Sequence, residues 1–394
     1  VIARAGSRLA AVPAAATLIG IVLCLVGGMS DGRRAAAAYL VAYVTGLGIS
    51  LGALAMIMIA RLTAATWFVA LRRQAEQVAA TLPAFAVLFL PVLFAVRVLY
   101  PWAGPTVSPE MAAALRTKSA YLNVPFFVIR AVVYWAIWLG FSIGLRRASL
   151  AQDSGDSPRI ERRLRVLSAI GIVAFGLSVT FAAFDWLMSL SPTWYSTVFG
   201  VDYFAGAMVG GMALLAVLVA RGRRRGELPA QVGVEHVHAL AKLLLTFVLF
   251  WVYIGFSQFI VIWSGEIPAE TSWYVPRTRG GWAALGTVII FGHFVLPFCA
   301  LLVRRIKRSV ASMALLGWWL LAMHYLDCYW MVMPDASRLA MRGVFGYVMD
   351  VGAILLIGGV ASLVWSARRL GEPVVPRGDP DLDASLQYST SAAL

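Results

Sequence analysis

Several ionisable side chains fall inside long apolar runs: Arg130, Asp185, Asp202, Lys242, His293, His324, Asp327 and Asp350. Such groups are costly in a bilayer, which makes them the first candidates for function. Their types suggest proton chemistry. An Arg can hold a carboxylate ionised, and a His exchanges a proton near neutral pH. His, Asp and Tyr can also hydrogen-bond a quinone headgroup and take its protons. Asn123 and Tyr134 share the helical face of Arg130, and His324 and Asp327 stand one turn apart. Arg130, Asp185, His293, His324 and Asp327 are therefore expected to form a connected polar cluster. Each also has a structural reading. Arg130 can be a plain partner for one Asp, and Asp185 can cap the turn at 191–196. A bis-imidazole haem site at His293 and His324 is disfavoured, because neither helix carries a second His on its face. His236 and His238 read as solvated groups at a boundary, and Tyr329, Trp330 and Met331 as packing.

The elements that position these residues follow from composition. Hydrophobic residues make up 61% of the 394 and charged residues 13%, with a mean hydropathy of +0.81. A soluble domain carries about a quarter charged residues, so lipid must solvate much of this chain. In lipid the backbone satisfies itself only as helices or as a closed barrel. The apolar runs are about 20 residues long, which selects helices over barrel strands. Ten spans are expected near 10–29, 37–60, 78–99, 124–145, 166–188, 197–220, 239–263, 282–303, 309–331 and 343–365. Pro83, Pro91 and Arg97 interrupt the third. The first has Arg4 and Arg8 on its flank like a signal peptide, but its run is long and lacks a small-residue cleavage site, so it reads as an uncleaved span.

The formal charge of +14 does not indicate nucleic acid, because the basic residues form short clusters between apolar runs. Twenty-two Lys and Arg fall on one side of the expected topology and eight on the other. The positive-inside bias and an even number of spans place both termini in the cytoplasm of a bacterial inner membrane. The other side carries aromatics instead: Trp102, Trp186, Trp194, Tyr195, Trp273, Tyr274 and Trp330, suited to an interfacial belt or a partner's docking surface. Nearly every ionisable residue within a span then falls in the outer half, Lys242 excepted. An outward cluster fits exchange of protons or electrons with the periplasmic side better than a midplane carrier site. Cys24, Cys299 and Cys328 lie in apolar runs without a CxxC, which argues against a disulfide framework, a zinc site or an iron–sulfur cluster held by this chain.

The residues 1–370 read as one membrane domain and 371–394, rich in Pro, Asp and Ser, as a disordered cytoplasmic tail. Asp185 and Asp327 each precede a proline by seven residues, Pro192 and Pro334. That spacing suggests two parallel four-helix units, at 37–190 and 197–334, flanked by two peripheral helices. Gly46, Gly48, Gly52, Gly206 and Gly210 read as close-packing positions.

Longer motifs carry a family resemblance. Tyr121-Leu-Asn-Val-Pro-Phe-Phe-Val-Ile-Arg130, Phe184-Asp-Trp-Leu-Met-Ser-Leu-Ser-Pro-Thr-Trp-Tyr-Ser196 and the run from Lys242 to Trp263 resemble the ActF membrane subunits of alternative complex III, in the wider NrfD/PsrC-like family. So do Glu270-Thr-Ser-Trp-Tyr274, His293-Phe-Val-Leu-Pro297 and Tyr325-Leu-Asp-Cys-Tyr-Trp-Met-Val-Met-Pro334. The likeness covers residues 35–365. It implies a ten-helix fold with two four-helix bundles, in a quinol:electron-acceptor oxidoreductase that passes electrons to cytochrome c or a related carrier. It implies an iron–sulfur subunit, a second NrfD-like subunit (ActC), haem c subunits and small membrane subunits as partners. The haem and iron–sulfur centres would belong to those partners. Quinone or menaquinone is the implied cofactor, with Asn123, Tyr134 and Tyr325 as candidate contacts, and proton conduction or scaffolding are the competing roles. Asp202 departs from the aromatic expected after Phe199-Gly-Val. A secondary transporter is the alternative from a different class.

Overall fold

A computed structural model describes residues 2–104, 109–155, 157–336 and 344–389, and every regular element among them is helical. Arg338 and Arg342 of the charge count lie outside the described residues. The long helices are α1 (Ile2–Ser30), α2 (Gly32–Leu62), α3 (Thr66–Phe94), α4 (Val124–Gln152), α5 (Ser157–Trp186), α6 (Phe199–Arg224), α7 (Val234–Gly265), α8 (Gly280–Leu302), α9 (Val310–Ala336) and α10 (Val344–Leu370). Nine of them are long and apolar enough to cross a membrane, which makes this a multi-pass helical membrane protein. The exception is α9. Its 27 residues span about 40 Å at 1.5 Å each, but His324, Asp327 and its Trp and Tyr residues dilute its apolar character.

Local chemistry explains the helix boundaries. Asp31 caps α2 by accepting from the Arg34 amide at 2.9 Å, and Asn123 caps α4 by accepting from the Phe126 amide at 2.9 Å. The α3 run breaks into segments at Leu82–Leu88 and Leu90–Phe94, each opening on a proline, Pro83 and Pro91. Proline has no N–H for the preceding turn and clashes with it. In α8, residues Ile290–Val295 form a π-turn. Pro297 cannot donate to the His293 carbonyl, and the helix widens there.

Helices α2 and α6 are central and pack on each other. At Gly52 an added Cβ would run into the Ala207 carbonyl, so only glycine permits this approach. Helix α2 also packs on α3, α5, α9 and α10, while α6 packs on α5, α7 and α9. Helix α1 lies on the outside against α10, through Gly20, Gly27, Gly352 and Gly359.

Ion pairs define two ends. At the basic end Arg61 pairs with Glu161, Arg72 with Asp379, Arg146 with Glu372, Arg308 with Glu235 and Arg369 with Glu227. At the aromatic end Arg34 pairs with Asp350 and Arg277 with Asp335. Helix α9 runs from the first end to the second, where Arg33 donates to the Ala336 carbonyl at 2.8 Å.

Three expectations change. Residues 371–389 are packed rather than disordered. Asp379 meets Arg72 at 2.5 Å, the Ala70 amide donates to Ser385 Oγ at 3.0 Å, and Gly378 sits against the Gln152 backbone. The tail also covers His236, whose Nε2 meets the Ser385 carbonyl at 2.9 Å, so His236 is buried and not solvated; His238 is buried as well. Arg72 and Arg73, which the expected spans 37–60 and 78–99 leave in the loop between them, belong instead to the buried start of α3. Arg73 binds Glu76 at 2.9 Å and Asp153 at 2.6 Å.

Candidate functional site

The expected cluster of five divides into two groups. The first joins α4 to α5. Arg130 donates to both carboxylate oxygens of Asp185, at 2.8 and 2.9 Å, and Tyr134 donates to Asp185 Oδ2 at 2.7 Å. Arg130 also donates to the Tyr121 carbonyl at 2.9 Å and lies over the Tyr121 and Phe126 rings. Asp185 is fully buried, and its charge is matched by a two-pronged guanidinium contact of the strong kind. The end of α5 is held as well: the Ser189 hydroxyl donates to the Asp185 carbonyl, and Trp102 donates to Ser189.

The second group lies between α6, α7, α8 and α9. His293 and His324 are enclosed; the His324 ring lies against the Thr45 backbone, and the His293 ring makes no hydrogen bond among the described residues. The His293 ring packs on Trp251 at 4.3 Å between centroids. Trp251 donates its indole N–H to Asp327 Oδ2 at 3.2 Å. Asp202, on the first turn of α6, lies within electrostatic reach of Asp327. Among the described residues neither carboxylate makes an ion pair within 4.0 Å, and Asp202 Oδ1 is enclosed without a hydrogen-bond partner. Native proteins leave few buried polar groups unpaired, and those that remain call for an explanation.

Three glycines shape the space around His324. An added Cβ would come 3.2 Å from Nε2 at Gly48, 3.4 Å from Nδ1 at Gly206 and 2.9 Å from Cδ2 at Gly210. Their spacing in the sequence is equally that of helix packing, so the cradle was not legible there. Asp202 and Trp251 were also missed as members of the group. The signal for Asp202 was present, a carboxylate in an apolar run, and its departure from the family pattern set it aside.

From this group a polar line reaches the aromatic end. Asp202 lies near Tyr274. Gln258 donates to the Tyr274 hydroxyl at 3.1 Å, and the Ser196 hydroxyl donates to Gln258 Oε1 at 2.9 Å. Burial pushes the Tyr274 phenol up to about 12, so it stays protonated and can both donate and accept.

The two groups do not touch through a hydrogen bond. Between them stand Trp138, Trp186 and Tyr203, around a void of about 10 Å³. Tyr203 donates to the Val44 carbonyl at 2.8 Å. The candidate quinone contacts scatter. Asn123 spends its side chain on the α4 cap and on the Ser119 and Ala120 carbonyls. Tyr134 is bound to Asp185, and Tyr325 lies apart, beside Tyr329 near the Arg34–Asp350 pair.

Tyr325 lines a cavity of about 920 Å³ bounded by α1, α2, α3, α6, α9 and α10. The loop aromatics are mostly internal. Trp194 stacks on Trp273 at 4.9 Å and donates to the Glu270 carbonyl at 2.8 Å. Trp102, Trp186, Trp194 and Trp273 are all buried, while Tyr195 is exposed. Trp194 is thus a packing residue and offers nothing to a docking partner.

The matching prolines do not occupy matching places. Helix α5 ends one residue after Asp185, whereas α9 continues through Pro334 to Ala336. No protein-family model matches this chain, and no curated protein matches it in sequence. What stands is a multi-pass helical membrane protein with two buried polar groups of different character.

Proposed function

We propose that this chain is a membrane subunit of a quinol:electron-acceptor oxidoreductase of the alternative complex III kind, and that its own contribution is a proton path. The observation that carries the reading is the second polar group: His293, His324 and Asp327 are buried among the helices, Asp202 is half-buried near them, and none of the four makes an ion pair within 4.0 Å among the described residues. Ionisable residues inside a membrane protein mark ion and proton routes. Two carboxylates within electrostatic reach of each other, neither in an ion pair among the described residues, are a natural place to hold a proton. The imidazoles of His293 and His324 pass a proton from one ring nitrogen to the other. The Tyr274–Gln258–Ser196 line continues toward the aromatic end.

The Arg130–Asp185 pair is satisfied by its own partners and acts as a tie between α4 and α5 rather than as a carrier. Two four-helix units, α2–α5 and α6–α9, fit the central packing of α2 on α6, and each unit holds one polar group at its last helix. The positive-inside bias places the basic end in the bacterial cytoplasm and the path's exit in the periplasm. Electron transfer would belong to partners: an iron–sulfur subunit, haem c subunits and a second NrfD-like subunit with the quinol site.

Purification from native membranes in mild detergent tests this directly. An oxidoreductase subunit brings haem c absorbance, iron–sulfur signals and quinol:cytochrome c activity with it. A chain that elutes alone and folded would sink the assignment and favour a transporter.

A further inference from the structure

The large cavity beside α1 is independent of the proton path and has an electrostatic polarity of its own. About 920 Å³ is at the upper end of ligand sites, roughly 300–1,000 Å³. Its walls are overwhelmingly apolar, with Pro13, Phe85, Leu321 and Ile357 among them, and no carboxylate among the described residues lines it. Its polar chemistry gathers at the basic end. Arg221 and Arg225 line it there with Ser362 and Ser366. Arg221 lies over the Trp365 ring at 4.7 Å, and Arg369 lies over the same ring at 5.2 Å. Arg369 is committed to Glu227, whereas neither Arg221 nor Arg225 makes an ion pair within 4.0 Å among the described residues. Trp365 is 9% exposed, lines the cavity and leaves its indole Nε1 without a partner.

We infer that this cavity is a structural site for a two-chain anionic phospholipid. The phosphate would rest between Arg221 and Arg225 and accept from Trp365 Nε1, and the acyl chains would fill the apolar walls. Basic pockets between membrane helices near the cytoplasmic face suit anionic headgroups. A zwitterionic lipid would fill the walls equally well but would set its ammonium group against two guanidinium groups. A free phosphate would leave the apolar walls uncovered. Helix α1 contacts the rest of the chain chiefly through α10, so a lipid wedged between α1, α9 and α6 would also fix its position.

The test uses the chain, or its complex, in nanodiscs of mixed phosphatidylglycerol and phosphatidylcholine. Lipids that remain after exchange into detergent are extracted and counted by mass spectrometry. The wild type is expected to retain about one phosphatidylglycerol per chain, enriched over the bulk mixture. A guanidinium at an anionic lipid surface is worth about fivefold, so R221Q/R225Q should lower the selectivity roughly 25-fold. W365F, which keeps both charges, should lower it less. Should the double variant misfold, the wild type alone still decides, because charge selection must weaken as salt rises. Retained lipid that mirrors the bulk mixture, or selectivity indifferent to salt and to R221Q/R225Q, overturns the inference. So does an isoprenoid quinone recovered in place of the phospholipid. None of these outcomes bears on whether the chain co-purifies with haem partners.

Discussion

Replacing Arg130 with Met removes the one cation paired with Asp185 among the described residues, and the structure sets the scale of the damage. Asp185 is fully buried and would be left with hydroxyl donors and no cation, chiefly Tyr134 at 2.7 Å. Breaking a buried ion pair from one side costs about 3–5 kcal/mol, because the remaining charge is uncompensated. The guanidinium also lies 3.8 Å from the Tyr121 ring centroid and 4.3 Å from that of Phe126, contacts worth about 0.5–2 kcal/mol. Asp185→Asn should cost less, about 1–3 kcal/mol, since the Arg130 side chain retains 10% exposure and can bend its charge toward the interface. In R130M/D185N both charges are gone, so the double variant should be more stable than the sum of the singles by at least about 1 kcal/mol. Reversible unfolding in mixed micelles, followed by Trp fluorescence, measures all three. Additivity within about 0.5 kcal/mol, or an R130M cost below about 1 kcal/mol, would refute the structural-tie reading of this pair.

Trp194→Ala should destabilise the chain by about 3–5 kcal/mol, because Trp194 is buried against Trp273. Tyr195→Ala, at an exposed ring, should stay within about 0.5 kcal/mol; thermal unfolding of the two variants side by side checks the contrast. Gly210→Ala should crowd His324, where its Cβ would stand 2.9 Å from Cδ2, and cost about 1–3 kcal/mol by overpacking. Removing the ring in G210A/H324A should recover much of that loss, and a double variant no better than G210A would show that the glycine serves backbone packing alone.

Much of the architecture was readable because one physical rule dominates it. In lipid the backbone must close its own hydrogen bonds, so apolar length alone located the helices, and Pro83 and Pro91 marked real breaks in α3. What could not be read was pairing across the fold. Arg130 and Asp185 are 55 residues apart, and Trp251 and Asp327 are 76 apart; periodicity reports which residues share a face, not what the face meets. The same limit hid the division of the five expected residues into two groups.

Glycine spacing misled for a related reason. Gly52 does serve close backbone approach, while Gly206 and Gly210 make room for an imidazole, and the two uses leave the same pattern. Composition misled at the C-terminal segment. Pro, Asp and Ser predicted disorder there, yet Asp379 pairs with Arg72 and Ser385 accepts from the Ala70 amide on α3, partners 307 and 315 residues away in sequence that composition does not report.

Proton movement in the intact complex tests the central claim most directly. The complex carrying Asp327→Asn, reconstituted in sealed vesicles, is supplied with quinol and acceptor while proton movement and electron transfer are recorded together. Asn keeps the oxygen that accepts from Trp251 but can no longer release a proton. A proton path through Asp327 requires that electron transfer continue, uncoupled or mildly slowed, while proton movement falls. Proton and electron transfer both at wild-type rates in a fully assembled variant would contradict the path and leave the His293–His324–Asp327 group a structural one.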